Sequence, residues 1–249
     1  MSRTIIVVPC YNEAHRFDEA AFAAALEADR DLTFFFVDDG SLDQTRTRLE
    51  AFAEPRGDRC RVIVHTMNQG KAAAVRTGLL EAFATDADYC GFWDADLAAP
   101  LDELPQFIDI LEHNPLLDLA IGSRVKLLGR KIERNPMRHY LGRIAATIAS
   151  LLLNLPVYDT QCGAKLFRNT PAMAKLFEEP LTSGWVFDVE LIARLVRNRR
   201  DGGLPSAEQA IYEVPLRRWK DVAGSKIKPA DYLRAFVDVL RVYRRTLRH

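Results

Sequence analysis

Gly91-Phe92-Trp93-Asp94-Ala95-Asp96-Leu97-Ala98 runs from an apolar strand into two carboxylates and then a turn marked by Pro100. Side chains alternate across a strand, so Asp94 and Asp96 leave on the same side, and open α/β sheets keep their sites at strand ends. A carboxylate pair placed in this way suits a hard divalent cation, Mg²⁺ or Mn²⁺, that fills its shell with water and substrate phosphates. Read in isolation, the run also fits two acids at a solvated strand end.

Working outward, the first 122 residues repeat one unit of apolar run, turn and helical pattern. Strands are expected at Thr4 to Val8, Leu32 to Val37, Arg61 to His65, Tyr89 to Trp93 and Leu117 to Ile121, with helices between them. Continuous Val, Ile and Phe runs of this kind belong to a parallel sheet buried on both faces. The expected fold is α/β: a Rossmann-like, mostly parallel central sheet with helices on both faces.

After Arg124 the alternation stops, and Arg124 to Arg143 holds seven basic residues against the single acid Glu133. A helix is expected over about Pro136 to Leu153, a short strand near Ala164 to Arg168, a helix over Phe187 to Arg199 and a strand at Ile211 to Leu216. Leu141, Ile144, Ile148, Leu151 and Leu152 recur at helical spacing behind the basic run, which fits an interfacial helix or a core helix with a basic approach. Pro229 to Leu247 sets Leu233, Phe236, Val237, Leu240 and Tyr243 at helical spacing among arginines. The whole chain, 1–249, is expected to be one domain of three stretches: 1–123, 124–228 and a basic amphipathic helix at 229–249.

The net charge of zero conceals an asymmetry. Residues 1–120 carry 10 Lys+Arg against 22 Asp+Glu, a formal −12, and residues 121–249 carry 24 against 12, a formal +12. An acidic half with a metal pair facing a basic half suits a substrate with several phosphates, or an anionic membrane surface. No RNA-binding fingerprint or zinc-finger spacing occurs, so nucleic acid is not an expected partner. Cys10, Cys60, Cys90 and Cys162 form no CxxC pair and read as reduced core thiols of a cytosolic protein. No secretory leader is expected, since Ser2-Arg3-Thr4 leads directly into the strand Ile5 to Val8, and Ile144 to Tyr158 falls short of the roughly 20 apolar residues that span a bilayer.

Each strand of the first half ends in polar or turn residues, which the strand-end rule gathers into one crevice. There is no G-x-G-x-x-G after the first strand and no G-x-x-x-x-G-K-[ST], which argues against a dehydrogenase and a P-loop enzyme. Val8-Pro9-Cys10-Tyr11-Asn12-Glu13, Val37-Asp38-Asp39-Gly40-Ser41, Asn68-Gln69-Gly70-Lys71 and Asp94-Ala95-Asp96 occur in the order found in family-2 inverting glycosyltransferases, which the chain resembles. Gly122-Ser123-Arg124, Asp159 to Phe167, Trp185 to Leu191 and Gly224-Ser225-Lys226 are similar to the dolichyl-phosphate β-glucosyltransferase and polyprenyl-phosphate mannosyltransferase branch. The resemblance runs from residue 4 to about 228 and implies a glycosyltransferase A-type fold, with 1–123 as the nucleotide-sugar-binding half and 124–228 as the acceptor-binding half.

It also implies roles. Pro9, Tyr11, Glu13 and Asp39 would form the nucleobase and ribose pocket, with Asp38, Asn68 and Lys71 near it. Asp94 would sit by the ribose or sugar and share with Asp96 the Mg²⁺ or Mn²⁺ that bridges the diphosphate. Arg124 would lie by the phosphates, Gln161 would belong to the substrate site, and Ser225 and Lys226 would close a late loop over them. Mannosyltransferases of the branch often carry Gln where this chain has Ala98, and Leu97-Ala98-Ala99-Pro100 is closer to the glucosyltransferases, which favours UDP-glucose over GDP-mannose.

A polyprenyl phosphate acceptor, with a second pKa of about 6, is an anionic nucleophile at neutral pH and needs no base. Arg124, Arg138 and Arg143 would hold it in line with the anomeric carbon, while the metal and Lys226 stabilise the leaving diphosphate. Asp188 lies where sugar-acceptor relatives keep a base, and would matter for a soluble or saccharide acceptor; its plainer role is a helix cap. A phosphohydrolase with Asp94 as nucleophile would need a hydroxyl where Leu97 and Ala98 stand, and an inactive nucleotide-binding module is the remaining alternative. The expected setting is the cytoplasmic face of a membrane, touched peripherally, with a separate anchoring partner as an option.

Overall fold

The computed structural model describes residues 2–133, 136–184, 186–220 and 237–247, with the side chains of 136–141 and 145 outside the description. In the first half, β1 (Thr4–Cys10), α1 (Glu19–Ala28), β2 (Leu32–Asp38), α2 (Thr45–Ala53), β3 (Cys60–Val64), α3 (Lys71–Phe83), β4 (Tyr89–Trp93), α4 (Leu104–His113) and β5 (Leu119–Ser123) alternate strictly. Then follow β6 (Lys131–Glu133), α5 (Pro136–Leu153), β7 (Ala164–Arg168), the short α6 (Pro171–Ala174), α7 (Phe187–Asp201), the short α8 (Ala207–Ala210), β8 (Ile211–Pro215) and β9 (Arg218–Lys220).

Seven strands form one sheet in the order β3-β2-β1-β4-β7-β5-β8, and β6 pairs with β9 in a separate two-stranded ribbon. β3, β2, β1 and β4 run parallel, as do β5 and β8, and β7 lies antiparallel between β4 and β5. The mostly parallel sheet matches the sequence expectation. The reversed strand was expected as a strand without a direction, because direction depends on the connection, here α5 and the turns after it.

The apolar runs are continuous because each face of the sheet is covered. Ile5 and Val7 of β1 with Phe35 and Val37 of β2 enter one core under α3 and α7, while Ile6, Val8, Phe34 and Phe36 enter the other. That is the two-residue strand period with both faces dry. In the second core Phe17, Phe22, Phe36 and Phe52 form edge-to-face and stacked pairs with centroids 5.1 to 6.3 Å apart, each contributing about 0.5–1.5 kcal/mol beyond its buried area. All four thiols are free and buried.

Two helices depart from the expected stripes. In α5, Ala149 and Leu153 are buried and Ile148 and Leu152 pack on the core, while Ile144 and Leu151 face outward at 60% and 76% exposure. The apolar stripe is therefore divided between core and surface, because α5 lies against α7 along one side only. At the C-terminus, Leu233 and Phe236 lie outside the described residues, and over 237–247 the buried side is Val239, Val242 and Thr246, with Val237 exposed. This segment docks on α7 and α5, which selects those three positions over the predicted ones. Among the described residues no helix is long and apolar enough to cross a membrane.

Candidate active site

The carboxyl ends of β1, β2 and β4 and the loop between β3 and α3 share one edge of the sheet. Pro9 lies in β1 opposite Val37, and Asp38 ends β2 opposite Cys10. Tyr11 and Glu13 follow β1, half-buried, and Asn68 is exposed on the loop before α3. Cross-loop bonds hold these segments: Asn12 N–H donates to Ser41 Oγ at 3.0 Å, Leu42 N–H to Asn12 Oδ1 at 2.9 Å, and Glu13 N–H to Thr45 Oγ1 at 2.7 Å.

Asp39 is the anchor of this edge. Its carboxylate accepts from Gln69 N–H at 2.9 Å and Gly70 N–H at 2.7 Å, and lies 2.8 Å from His65 Nδ1, whose Nε2 is 3.0 Å from Thr77 Oγ1. The loop entering α3 is thereby tied to the end of β2. Gly40 lets it come that close: at φ +66° a Cβ there would meet the Met67 and Asn68 backbone at 2.5 to 2.6 Å. His65 and Arg16 were not singled out in the sequence. Arg16 pairs with Glu13 at 2.5 Å and acts on the charge of Asp96.

β4 delivers Asp94 and Asp96 as expected. Lys71, the first residue of α3, places Nζ 2.5 Å from Asp94 Oδ1. Asp94 N–H donates to Gly163 O at 2.9 Å, and Gly163 lies flush against the carboxylate, since a Cβ there would stand 2.0 Å from Asp94 Oδ2. Asp96 accepts from Ala98 N–H at 3.1 Å across Leu97, which takes φ +49° to make the turn. Burial, and then the neighbouring Asp94 charge, raise the Asp96 pKa above the ordinary carboxylate range. Among the described residues no group of three or more His, Cys, Asp or Glu forms a closed metal cage. The repelling pair Asp94 and Asp96 fits a cation that takes one or two carboxylates and leaves its other positions to phosphate and water.

Beneath Asp94 lies a charge the sequence reading did not assign. Lys165 on β7 is fully buried, and its Nζ is 2.6 Å from Asp188 Oδ1 and 2.7 Å from Cys162 O. Asp188 stands in the first turn of α7, where the helix has no side-chain cap, so it is a buried partner of Lys165 rather than a cap. Burial raises its pKa, against the pull of Lys165 and Lys71. Burial tends to lower the Lys71 ammonium, but Asp94, Asp188 and Asp96 together outweigh it and raise that pKa. The signal for Lys165 was a cation between Ala164 and the apolar pair Leu166-Phe167, in the interior of a strand.

On the acceptor side, Arg124 grips Asp159 with a bidentate fork, Nε at 2.6 Å and Nη2 at 2.7 Å, and lies over the Trp219 ring at 4.8 Å. Asp159 is set by Glu213, whose carboxylate accepts from the Tyr158 and Asp159 N–H groups at 2.7 and 2.8 Å and whose own pKa is raised by burial. Arg143 lies over the Tyr158 ring at 3.6 Å and donates to Tyr158 O at 3.2 Å, so α5 brings it beside Arg124's partner. Gln161 sits half-buried in the turn before Gly163. Arg138 is in α5 with its side chain outside the description, and Trp185, Gly224, Ser225 and Lys226 lie outside the described residues. The β6–β9 ribbon reaches back to the carboxylate loop through Lys220 N–H to Ala98 O at 3.2 Å.

Comparison with known proteins shows the family. The family model described as Glycosyl transferase family 2 matches residues 5–174. A dolichyl-phosphate beta-glucosyltransferase of Saccharomyces cerevisiae is 31% identical over 242 residues, covering 89% of this chain and 68% of the relative. A polyprenol monophosphomannose synthase of Mycolicibacterium smegmatis is 27% identical over 198 residues, covering 79% and 73%. Among solved structures, glucosyl-3-phosphoglycerate synthase from Mycobacterium tuberculosis, in complex with Mn²⁺, UDP and glucosyl-3-phosphoglycerate, superposes with TM-score 0.63 at 19% identity, covering 97% of this chain and 78% of that one.

Proposed function

The chain belongs to glycosyl transferase family 2, and on that premise we propose that it moves glucose from UDP-glucose to a polyprenyl phosphate of the dolichyl type, with inversion, at the cytoplasmic face of a membrane. The names of its relatives support the lipid phosphate acceptor and, for the Saccharomyces cerevisiae relative, glucose as the sugar, while the uridine donor rests on the likeness of Leu97-Ala98-Ala99-Pro100 to the glucosyltransferases.

One observation carries the acceptor assignment: Asp188, the carboxylate standing where a hydroxyl acceptor would need a base, is buried and paired with Lys165. A nucleophile that brings its own negative charge removes the need for that base. A phosphate monoester does so, with a second pKa of about 6.

On the donor side, Pro9, Tyr11, Glu13, Asp38, Asp39 and Asn68 frame the nucleoside, and Lys71 offers its ammonium between Asp94 and the crevice. Asp94 and Asp96 would hold Mg²⁺ or Mn²⁺, which supplies charge neutralisation to the leaving diphosphate when bound. Arg124 and Arg143, oriented by Asp159 and Tyr158, receive the acceptor phosphate, with Gln161 alongside. Attack on the face opposite the diphosphate turns an α donor into a β product in one displacement. The gain comes from alignment and fixed charge rather than from proton transfer.

The surface next to this cluster suits a membrane. Leu128 is fully exposed and Leu127 is 47% exposed on a loop that also carries Lys126 and Arg130, and Ile144 and Leu151 face outward on α5. Apolar tips among basic residues bind an anionic interface. Retention would then rest on this face or on an anchoring partner.

The test is thermal stabilisation by UDP, GDP, UDP-glucose and GDP-mannose with and without Mn²⁺, repeated with Asp96→Ala, followed by transfer to a polyprenyl phosphate. Mn²⁺-dependent stabilisation by the uridine compounds, lost in the variant, with glucose appearing on the lipid, is the expected result. Stabilisation by no nucleotide would leave an inactive module, and transfer only to a soluble hydroxyl acceptor would overturn the lipid reading.

A further inference from the structure

We infer that Lys165 is a positioning residue of the donor site: its buried ammonium clamps the Cys162–Gly163 turn to the first turn of α7 and so fixes where the Asp94 carboxylate stands. The inference rests on the reading of Asp94 as a donor-site carboxylate.

Lys165 points from β7 into the core, and each side of its ammonium is occupied. Cys162 O accepts at 2.7 Å, Asp188 Oδ1 at 2.6 Å, and the Phe92 ring centroid lies 5.2 Å away. The turn it grips is the one that seats Asp94. Asp94 N–H bonds Gly163 O at 2.9 Å, and the space a Cβ at 163 would fill holds the Asp94 carboxylate. On the other side Asp94 meets Lys71, and Lys71 lies 5.8 Å from the ring centroid of Phe187, the residue before Asp188. Lys165 pairs with Asp188 and Lys71 with Asp94, Asp188 and Lys71 act on each other's charge, and Asp94 and Asp96 are left as neighbouring carboxylates where a metal would belong.

A buried ion pair is a poor source of stability, since well-packed apolar residues of similar volume often replace it at no loss. Breaking it by removing one partner is costly, because a charge is left buried alone. The pair's contribution is therefore sought in geometry. It joins strand β7 to helix α7 at the point where both touch the Asp94 and Lys71 contact. Groups that orient metal ligands from behind matter in proportion to how firmly they hold them.

The experiment compares the wild-type chain with Lys165→Met and Lys165→Met/Asp188→Leu, reading thermal stability, amide hydrogen exchange, and UDP affinity in the presence of Mn²⁺. The single variant is expected to lose stability and the double variant to regain it. In the double variant the amides of Asp94 to Leu97 are expected to exchange at least about 10-fold faster, and UDP affinity with Mn²⁺ to fall roughly 10- to 100-fold. Stability restored with wild-type exchange at Asp94 to Leu97 would make the pair mere core filling and overturn the clamp. Exchange in the unaltered chain covers the case in which neither variant folds: Asp94 is expected to open together with Val189 and Glu190 of α7, and independent opening overturns the clamp. Failure of the wild-type chain to bind UDP with Mn²⁺ would instead count against the donor assignment, and the exchange data would still decide the clamp.

Discussion

The donor edge and the acceptor cluster are both rich in charge, but the two regions satisfy it by different means. At the donor edge Asp38 and Asp39 take backbone N–H groups of Ser41, Gln69 and Gly70, so carboxylates serve as loop scaffolding. On the acceptor side charge meets charge across a long stretch of chain, in the fork of Arg124 on Asp159. Asp94 and Asp96 stand as neighbouring like charges, and they lie where the two regions meet. A crevice for a polyanion keeps a place for added positive charge, and a cluster for one phosphate keeps its guanidinium groups aligned in advance by carboxylates and rings.

The largest expected effect breaks the comparison at that junction. Asp96→Ala, or chelation of divalent metal in the wild type, should lower transfer by roughly 100-fold or more, measured as glucose incorporated into lipid. Next comes Gly163→Ala. Its Cβ would fall 2.0 Å from Asp94 Oδ2, so calorimetry should show a loss of about 1–3 kcal/mol from overpacking, with weakened nucleotide binding beside it.

Arg124→Lys sharpens the contrast between the regions. It gives up the bidentate fork to Asp159 and the place over Trp219, so the KM for the lipid phosphate should rise about 10-fold while UDP affinity holds. An equal loss of both would mean that the regions are not separate. The smallest effect is in pH dependence. Because burial raises the folded-state pKa of Glu213, its stabilising share is fully present below the unfolded value of about 4.3 and is lost as pH rises through the raised one. Urea unfolding should find the advantage of wild type over Glu213→Gln greatest in acid and smaller at neutral pH.

The same contrast explains what the sequence made legible. The donor edge could be read because each of its parts is local: apolar run, Asp-Asp-Gly-Ser turn, Asn-Gln-Gly-Lys entry into a helix. β4, β7 and α5 were placed at their observed bounds, since their hydropathy and turn residues agree. Asp188 could be seen as important but not as a partner of Lys165, because 23 residues and a change of element separate them. Glu213 was invisible for the same reason, its partners Tyr158 and Asp159 being brought to it by the pairing of β5 with β8. His65 gave no signal because an isolated histidine at a strand end has many plain uses.

The antiparallel seat of β7 has a further consequence, for how the chain is made. β4 and β5 are complete well before residues 164–168 leave the ribosome, and until then each presents an unpaired edge toward the gap that β7 will fill. Exposed edges of apolar strands invite pairing with other chains. A fragment ending near residue 123 should therefore aggregate rather than fold, and should be rescued by a second fragment that begins before α5. Closure of the sheet, with its long loop to bring round, is then the late step of folding, and the crevice acquires its floor only when the last strand of its wall has come from the other half of the gene.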